Sequence, residues 1–151
     1  MKRRRDIAVN RQAFYNYEVL ERFEAGIQLT GTEIKSIRAA RVDLRGAHAR
    51  LEDNELWLHG MHVALYDPAG RSNHDPKRPR KLLLHRNEIA EIGGKISQRG
   101  LTLVPLRLYV KNHWAKIELG LARGKRQYDK RKAIIERDKD REARRALRQV
   151  A

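Results

Sequence analysis

The chain has 151 residues, enough for one domain with a core of its own and an appendage. Lys and Arg total 34 against 19 Asp and Glu, a formal net charge of +15, so polyanions are the expected partners: nucleic acid first, an anionic membrane surface second. With no cysteine, disulfides, thiolate metal sites and cysteine nucleophiles are excluded. No stretch nears the roughly 18 apolar residues of a membrane span, and no apolar signal core follows the basic start Met1–Asp6. A cytoplasmic location is expected.

The charge is uneven. Residues 1–11 hold five bases and one acid, and residues 120–151 hold 12 bases and five acids. The middle, with 17 bases and 13 acids, has the balance of an ordinary folded domain flanked by basic arms. In chain order, Tyr17, Val19, Glu21 and Phe23 alternate with polar neighbours apart from Leu20. Ala25-Gly26 punctuates before Ile27-Gln28-Leu29 resumes, which predicts a hairpin with a glycine turn over 18–29. Thr30 and Glu33 have capping-box spacing, with Thr32 the other candidate cap. A short helix should follow, with Ile34 and Ile37 inward and Lys35 and Arg38 reaching solvent.

Residues 47–52 and 56–63 alternate around Asp53-Asn54, a strand pair with both faces partly apolar. Residues 67–80 hold three of the four prolines and read as a long mobile loop. Lys81–Leu84 is a short apolar run. Residues 87–98 read as a helix through Ile89, Ile92 and Ile96, weakened by Gly93-Gly94 and ending near Gly100. Leu101–Val110 reads as a strand, with Pro105 marking an edge or bulge. Lys111-Asn112-His113 turns the chain, and Trp114–Leu121 returns as a strand. Six or so short strands with two helices suit a small closed antiparallel β-barrel. From Gly124 the strand pattern stops, and 133–147 has helix propensity without a continuous apolar stripe. The segment 124–151 is therefore expected to be disordered when free and helical on a polyanion.

The chemistry of an enzyme is missing. His59 and His62 fall on opposite faces of a strand, Glu52, Asp53 and Glu55 read as a solvated turn, and no serine sits in a nucleophile elbow. Gly120–Lys125 lacks phosphate-loop glycine spacing, and Arg126 stands where a magnesium-binding hydroxyl belongs. No metal or cofactor is expected. Two stretches instead interleave aromatics with bases, 10–17 and 124–131, the pattern of phosphate contact with base stacking. For the first, entry of Phe14, Tyr15 and Tyr17 into the core is an equal alternative; for the second, the alternative is a solvated charge run.

Several ordered blocks resemble one family. They are Asn10-Arg11-Gln12-Ala13, Phe23-Glu24-Ala25-Gly26-Ile27, residues 29–38 (Leu29 to Arg38), Arg80-Lys81-Leu82-Leu83-Leu84, Leu108-Tyr109-Val110-Lys111-Asn112, and residues 124–131 (Gly124 to Arg131). In order and spacing the chain is similar to the SmpB family, the partners of transfer-messenger RNA in bacterial ribosome rescue. The resemblance implies a mainly β, oligonucleotide-binding-type barrel over 1–123, with two or three short helices and a basic tail over 124–151. It implies no catalysis. A monomeric body binds the tRNA-like domain of transfer-messenger RNA and replaces the missing anticodon arm in the ribosomal A site. The tail probes the empty mRNA channel, and elongation factor Tu is reached indirectly through the alanylated RNA. No membrane is involved.

Carried over residue by residue, the resemblance places RNA binding on Asn10, Arg11, Tyr15, Glu24, Lys35, Arg38 and Leu83. Tyr15 stands where the family commonly has His, so it can stack but cannot protonate. Glu24 is an acid in a basic protein, suited to accept from a base edge or to orient a cation; local pairing is its simpler role. Leu83 offers an apolar face to an unstacked base, or belongs to the core. Ribosome contact falls on Gly124, Lys125, Arg126, Tyr128, Asp129, Lys130, Arg131, Arg145, Ala146 and Leu147. Lys139 replaces a Trp of some relatives. A structural ribosomal protein and an RNA-processing enzyme are the competing classes; the ordered blocks oppose the first and the missing nucleophile or metal set the second.

Overall fold

The computed structural model describes residues 4–125 and 135–145. In chain order they form β1 (Arg4–Val9), α1 (Arg11–Asn16), β2 (Tyr17–Ile27), α2 (Gly31–Arg38), β3 (Val42–Asp43), β4 (His48–Glu52) and β5 (Glu55–His59). There follow β6 (His62–Val63), a 3-10 segment (Asp67–Ser72), β7 (Arg80–Leu83), α3 (Arg86–Arg99), β8 (Thr102–Lys111) and β9 (Trp114–Gly124). Residues 135–145 are helical with every side chain exposed.

Six strands close into a ring, β8-β4-β5-β7-β2-β9 and back to β8, all antiparallel. The mainly β architecture expected from the pattern is therefore present. β8 serves three partners because it is long. β9 lies along one edge, while the other edge pairs with β4 at Ala49–Leu103 and with β1 from Arg107 to Lys111. Inside the ring, Ala25, Leu56, Leu58, Leu82, Leu108 and Leu119 pack with Ile37 of α2 and Ile92 of α3. A second, smaller cluster lies under α1, where Ala13 meets Val104, Leu106 and Ala122. The bulge at Pro105 comes where expected, and it sets Leu106 toward α1.

Four expectations need correction. Residues 17–27 are one continuous strand rather than a hairpin. Gly26 is there because Leu83 of the paired β7 comes within 3.3 Å of where a Cβ would sit. Ile34 faces solvent, because α2 presents Glu33, Ser36 and Ile37 inward. The alternation through 56–63 switches at Gly60: Leu56 and Leu58 are buried before it, Met61 and Val63 after it. Gly60 has φ +82° and its Cα lies against the Gly46 carbonyl and Ala47 backbone, a place with no room for a side chain. The 67–80 segment is tied down at several points. Asn73 closes on Tyr66 through two hydrogen bonds, and buried His74 contacts Thr32 Oγ1 and the Val63 carbonyl.

The turns follow their sequences. Asp53-Asn54 and Asn112-His113 all have positive φ, as two-residue hairpin turns require. Gly100, left-handed at φ +62°, caps α3. Thr30, not Thr32, caps α2 in a reciprocal box with Glu33.

Candidate nucleic-acid interface

The N-terminal block is mostly structural at its first residue. Asn10 is 3% exposed. Its Nδ2 donates to the Leu44 and Pro105 carbonyls at 3.2 and 2.9 Å, and its Oδ1 accepts from the Ala13 N–H at 3.2 Å. An amide so fully used has nothing left for RNA. Asn10 caps α1 and holds it against β8, thereby setting the position of its neighbours. Arg11 is exposed at the first position of α1, and Tyr15 is half-buried near its end. Phe14 and Tyr17 pack on the second cluster, so the aromatics of this block divide between core and surface.

Glu24 and Leu83 lie on the outer face of the ring. Gly26 pairs with Leu83, and Glu24 is two residues before Gly26 on the same face of β2. Both line a groove between the β2–β7 edge and α3. Leu83 is 50% exposed while Leu82 beside it is buried, the alternation a half-covered strand demands. The Glu24 carboxylate accepts from the Tyr109 hydroxyl and from Lys111 Nζ, the latter at 3.3 Å. The Tyr109 hydrogen bond, opposed by partial burial and helped by Lys111 and Lys116, holds the Glu24 pKa below the ordinary value. Burial and Glu24 together raise the Tyr109 pKa, so that phenol stays protonated as a donor. The groove carries Glu24, Asp53, Glu55 and Glu88 against Lys81, Arg86 and Lys116. That near balance suits base edges and apolar contact better than a run of phosphates.

On α2, Lys35 and Arg38 are exposed, with Lys35 Nζ 5.2 Å from the centre of the Tyr66 ring. Neither lines the Glu24–Leu83 groove, and nor do Asn10, Arg11 and Tyr15. The helix beneath Lys35 and Arg38 is fixed by a buried ionic cluster that the sequence reading did not find. Arg80 and Arg78 both donate to the buried Glu33 carboxylate, and Arg80 also donates to the Met61 and Pro76 carbonyls at 2.8 and 3.1 Å. Burial works to raise the Glu33 pKa. Hydrogen bonds from Arg78, the Thr30 N–H and Arg80 outweigh it and hold that pKa below its ordinary value.

At the start of the tail, Gly124 still pairs with Tyr17. Lys125 donates from its backbone N–H to Asn16 (2.8 Å) and from Nζ to the Phe14 carbonyl (3.1 Å). The folded body thus reaches Lys125, and that cation is spent on the end of α1. Arg126, Tyr128, Asp129, Lys130, Arg131, Ala146 and Leu147 lie outside the described residues. Arg145 is exposed on the helical segment 135–145.

The outer face holds further groups that sequence reasoning missed. Arg4 lies over the Tyr109 ring, with its guanidinium carbon 3.9 Å from the centroid. Glu118 pairs with Arg22 at 3.0 Å and Arg4 at 3.5 Å. Only the strand order brings these residues of β1, β2, β8 and β9 side by side, although the period-two spacing of Arg107, Tyr109 and Lys111 was a usable signal.

The match to known proteins is extensive. The family model described as "SmpB protein" matches residues 7–149. The SsrA-binding protein of Carboxydothermus hydrogenoformans is 57% identical over 142 residues, covering 94% of this chain and 95% of that one. The SsrA-binding protein of Bacillus cereus is 53% identical over 142 residues, covering 94% and 92%. A solved chain from work described as "tmRNA-SmpB: a journey to the center of the bacterial ribosome" is 50% identical, with a TM-score of 0.67, and covers 84% of this chain and 93% of that one. With the six-stranded ring and nearly full-length agreement in sequence, this chain belongs to the SmpB family.

Proposed function

We infer that this protein is an RNA-binding adaptor for ribosome rescue: it binds the tRNA-like domain of transfer-messenger RNA and delivers it to stalled ribosomes, where the nascent chain is tagged. It acts without catalysis. One observation carries the reading. A chain half identical to this one, and alike in fold over most of its length, comes from a structure described as that of tmRNA and SmpB in the bacterial ribosome. The charge of +15 supplies the non-specific attraction to RNA.

Within that reading, the groove of Glu24 and Leu83 receives the RNA, and Arg11, Tyr15, Lys35 and Arg38 extend the surface. Asn10 acts through the position it gives α1. The body stands in for the absent anticodon arm, while residues 126–151 enter the empty message channel and take their final helical form against ribosomal RNA. The exposure of every side chain in 135–145 favours this, since a helix with no buried face has its packing still to gain. The protein works as a cytoplasmic monomer and meets elongation factor Tu only through the alanylated RNA.

The test is equilibrium binding to the tRNA-like domain beside an ordinary tRNA, from low to high salt. Preference for the tRNA-like domain should survive moderate salt. Equal affinities that collapse together would mean that phosphate attraction alone is at work, and a general RNA-binding protein would become the better reading.

A further inference from the structure

The largest exposed apolar side chain among the described residues is Trp114, 72% exposed at the first position of β9. Exposure of an indole to water loses its hydrophobic gain, and nothing in the fold uses this one. Its position is nonetheless fixed. It follows the two-residue turn Asn112-His113, both at positive φ, and pairs with Lys111 across the hairpin. Lys111 pairs in turn with Arg4 of β1, so Trp114, Lys111 and Arg4 form one row across three strands. Two residues along β9 on the same face stands Lys116, which has no ion-pair partner among the described residues. Lys116 pairs with Gly26, and Gly26 with Leu83. The indole is thus at the far end of the same sheet face that carries Glu24 and Leu83. Glu24 is opposite Glu118, four residues from Trp114, or about 13 Å along the strand.

We propose that Trp114 is a stacking platform for an unpaired base of the RNA that occupies the Glu24–Leu83 groove, the tRNA-like domain of transfer-messenger RNA. A rigid hairpin holds the ring, so little conformational entropy is lost on stacking. Lys111, Lys116 and Arg4 around it supply charge for the flanking phosphates, which favours a nucleic acid over an apolar protein segment. Glu24 is not a repulsive intruder on this surface. By holding Lys111 and Tyr109 it keeps the row from the groove to the hairpin in one arrangement. The proposal rests on the adaptor reading for its RNA, but the stacking role is tested separately.

The experiment uses the full chain. Trp114→Ala should weaken binding of the tRNA-like domain about tenfold, within the range of about 5- to 100-fold for loss of a stacked aromatic. Trp114→Phe should keep most of the affinity, while Trp114→Leu, apolar but not aromatic, should behave like alanine. With Trp57→Phe as background, Trp114 is the sole tryptophan. Its emission should then fall on RNA binding and become shielded from acrylamide. Unchanged affinity of Trp114→Ala, or a ring as open to acrylamide in the complex as before, overturns the proposal. If Trp114→Ala weakens the tRNA-like domain and ordinary tRNA alike, and the two bind equally to the parent protein, stacking stands and the adaptor's specificity falls. If Trp114→Ala is silent while Glu24→Ala weakens only the tRNA-like domain, the adaptor reading stands and the platform falls.

Discussion

Glu24 shows how a residue's sign can mislead. A carboxylate on a protein of net charge +15 reads as repulsive to RNA, but this one accepts from Tyr109 and Lys111 and organises the outer face. Its removal frees a lysine and still disturbs the surface that the RNA meets. Glu24→Ala should therefore weaken binding of the tRNA-like domain by several-fold, while Glu24→Gln, which still accepts from Tyr109, should lose less. Filter binding or fluorescence anisotropy reads both, and a tighter complex from Glu24→Ala would make its negative charge the dominant effect. The residues also divide by legibility. Lys35, Arg38 and Leu83 lie exposed as the sequence analysis expected. Asn10 does not: a short amide before a helix serves equally as a cap or a base reader, and only its burial with three engaged bonds decides.

The elements are held in place by a few long-range polar clusters. The cluster of Glu33, Arg78 and Arg80 ties α2 to β7 and to the segment before it. Removing one member of a buried pair strands the other, at a cost of about 3 kcal/mol or more. Arg80→Met should lower unfolding free energy by about 3 kcal/mol, read by chemical denaturation, because it leaves the Met61 and Pro76 carbonyls unpaired as well. Its pH dependence follows from Glu33. A carboxylate whose folded pKa is depressed stabilises the fold above its unfolded value, near 4.5, and that contribution is lost as pH falls through the lower folded value. The acid limb of the stability curve should therefore be shallower in Arg80→Met than in the parent. Unequal limbs in the opposite sense would show that Glu33 is not held charged by this pair. The same cluster explains why residues 67–80 looked like a free loop. Proline and glycine content is visible locally, whereas the arginine that pins the segment finds its carboxylate 47 positions away.

At the scale of the whole molecule, body and tail part near Lys125. Strand pairing runs to Gly124, and Lys125 is bound to α1 through its backbone and its side chain. A chain ending after Lys125 should keep its melting temperature and most of its affinity for the tRNA-like domain, but should support no tagging in a reconstituted translation system. Loss of RNA affinity on that truncation would place the binding surface in the tail. Calorimetry and binding on the same sample separate an unfolded body from a body that folds but does not bind.

The sequence by itself determined whatever depends on near neighbours. Composition sets the charge, period-two alternation marks most of the strands, and Thr30–Glu33 spacing starts α2. The adjacent positive-φ turns at 53–54 and 112–113 close the hairpins. The ordered blocks also carried the family resemblance. Tertiary structure alone decided the closure of the ring and its consequences. β8 is shared by β1, β4 and β9, Gly26 sits in mid-strand under Leu83, and Ile34 faces out so that Glu33 can face in. The outer face gathers Glu24, Tyr109, Lys111 and Trp114 from three strands. The physical reason is that alternation fixes which way a side chain points relative to its own strand. Which strand lies beside it, and hence which charge or ring it meets, is set by pairings between segments as much as about a hundred residues apart.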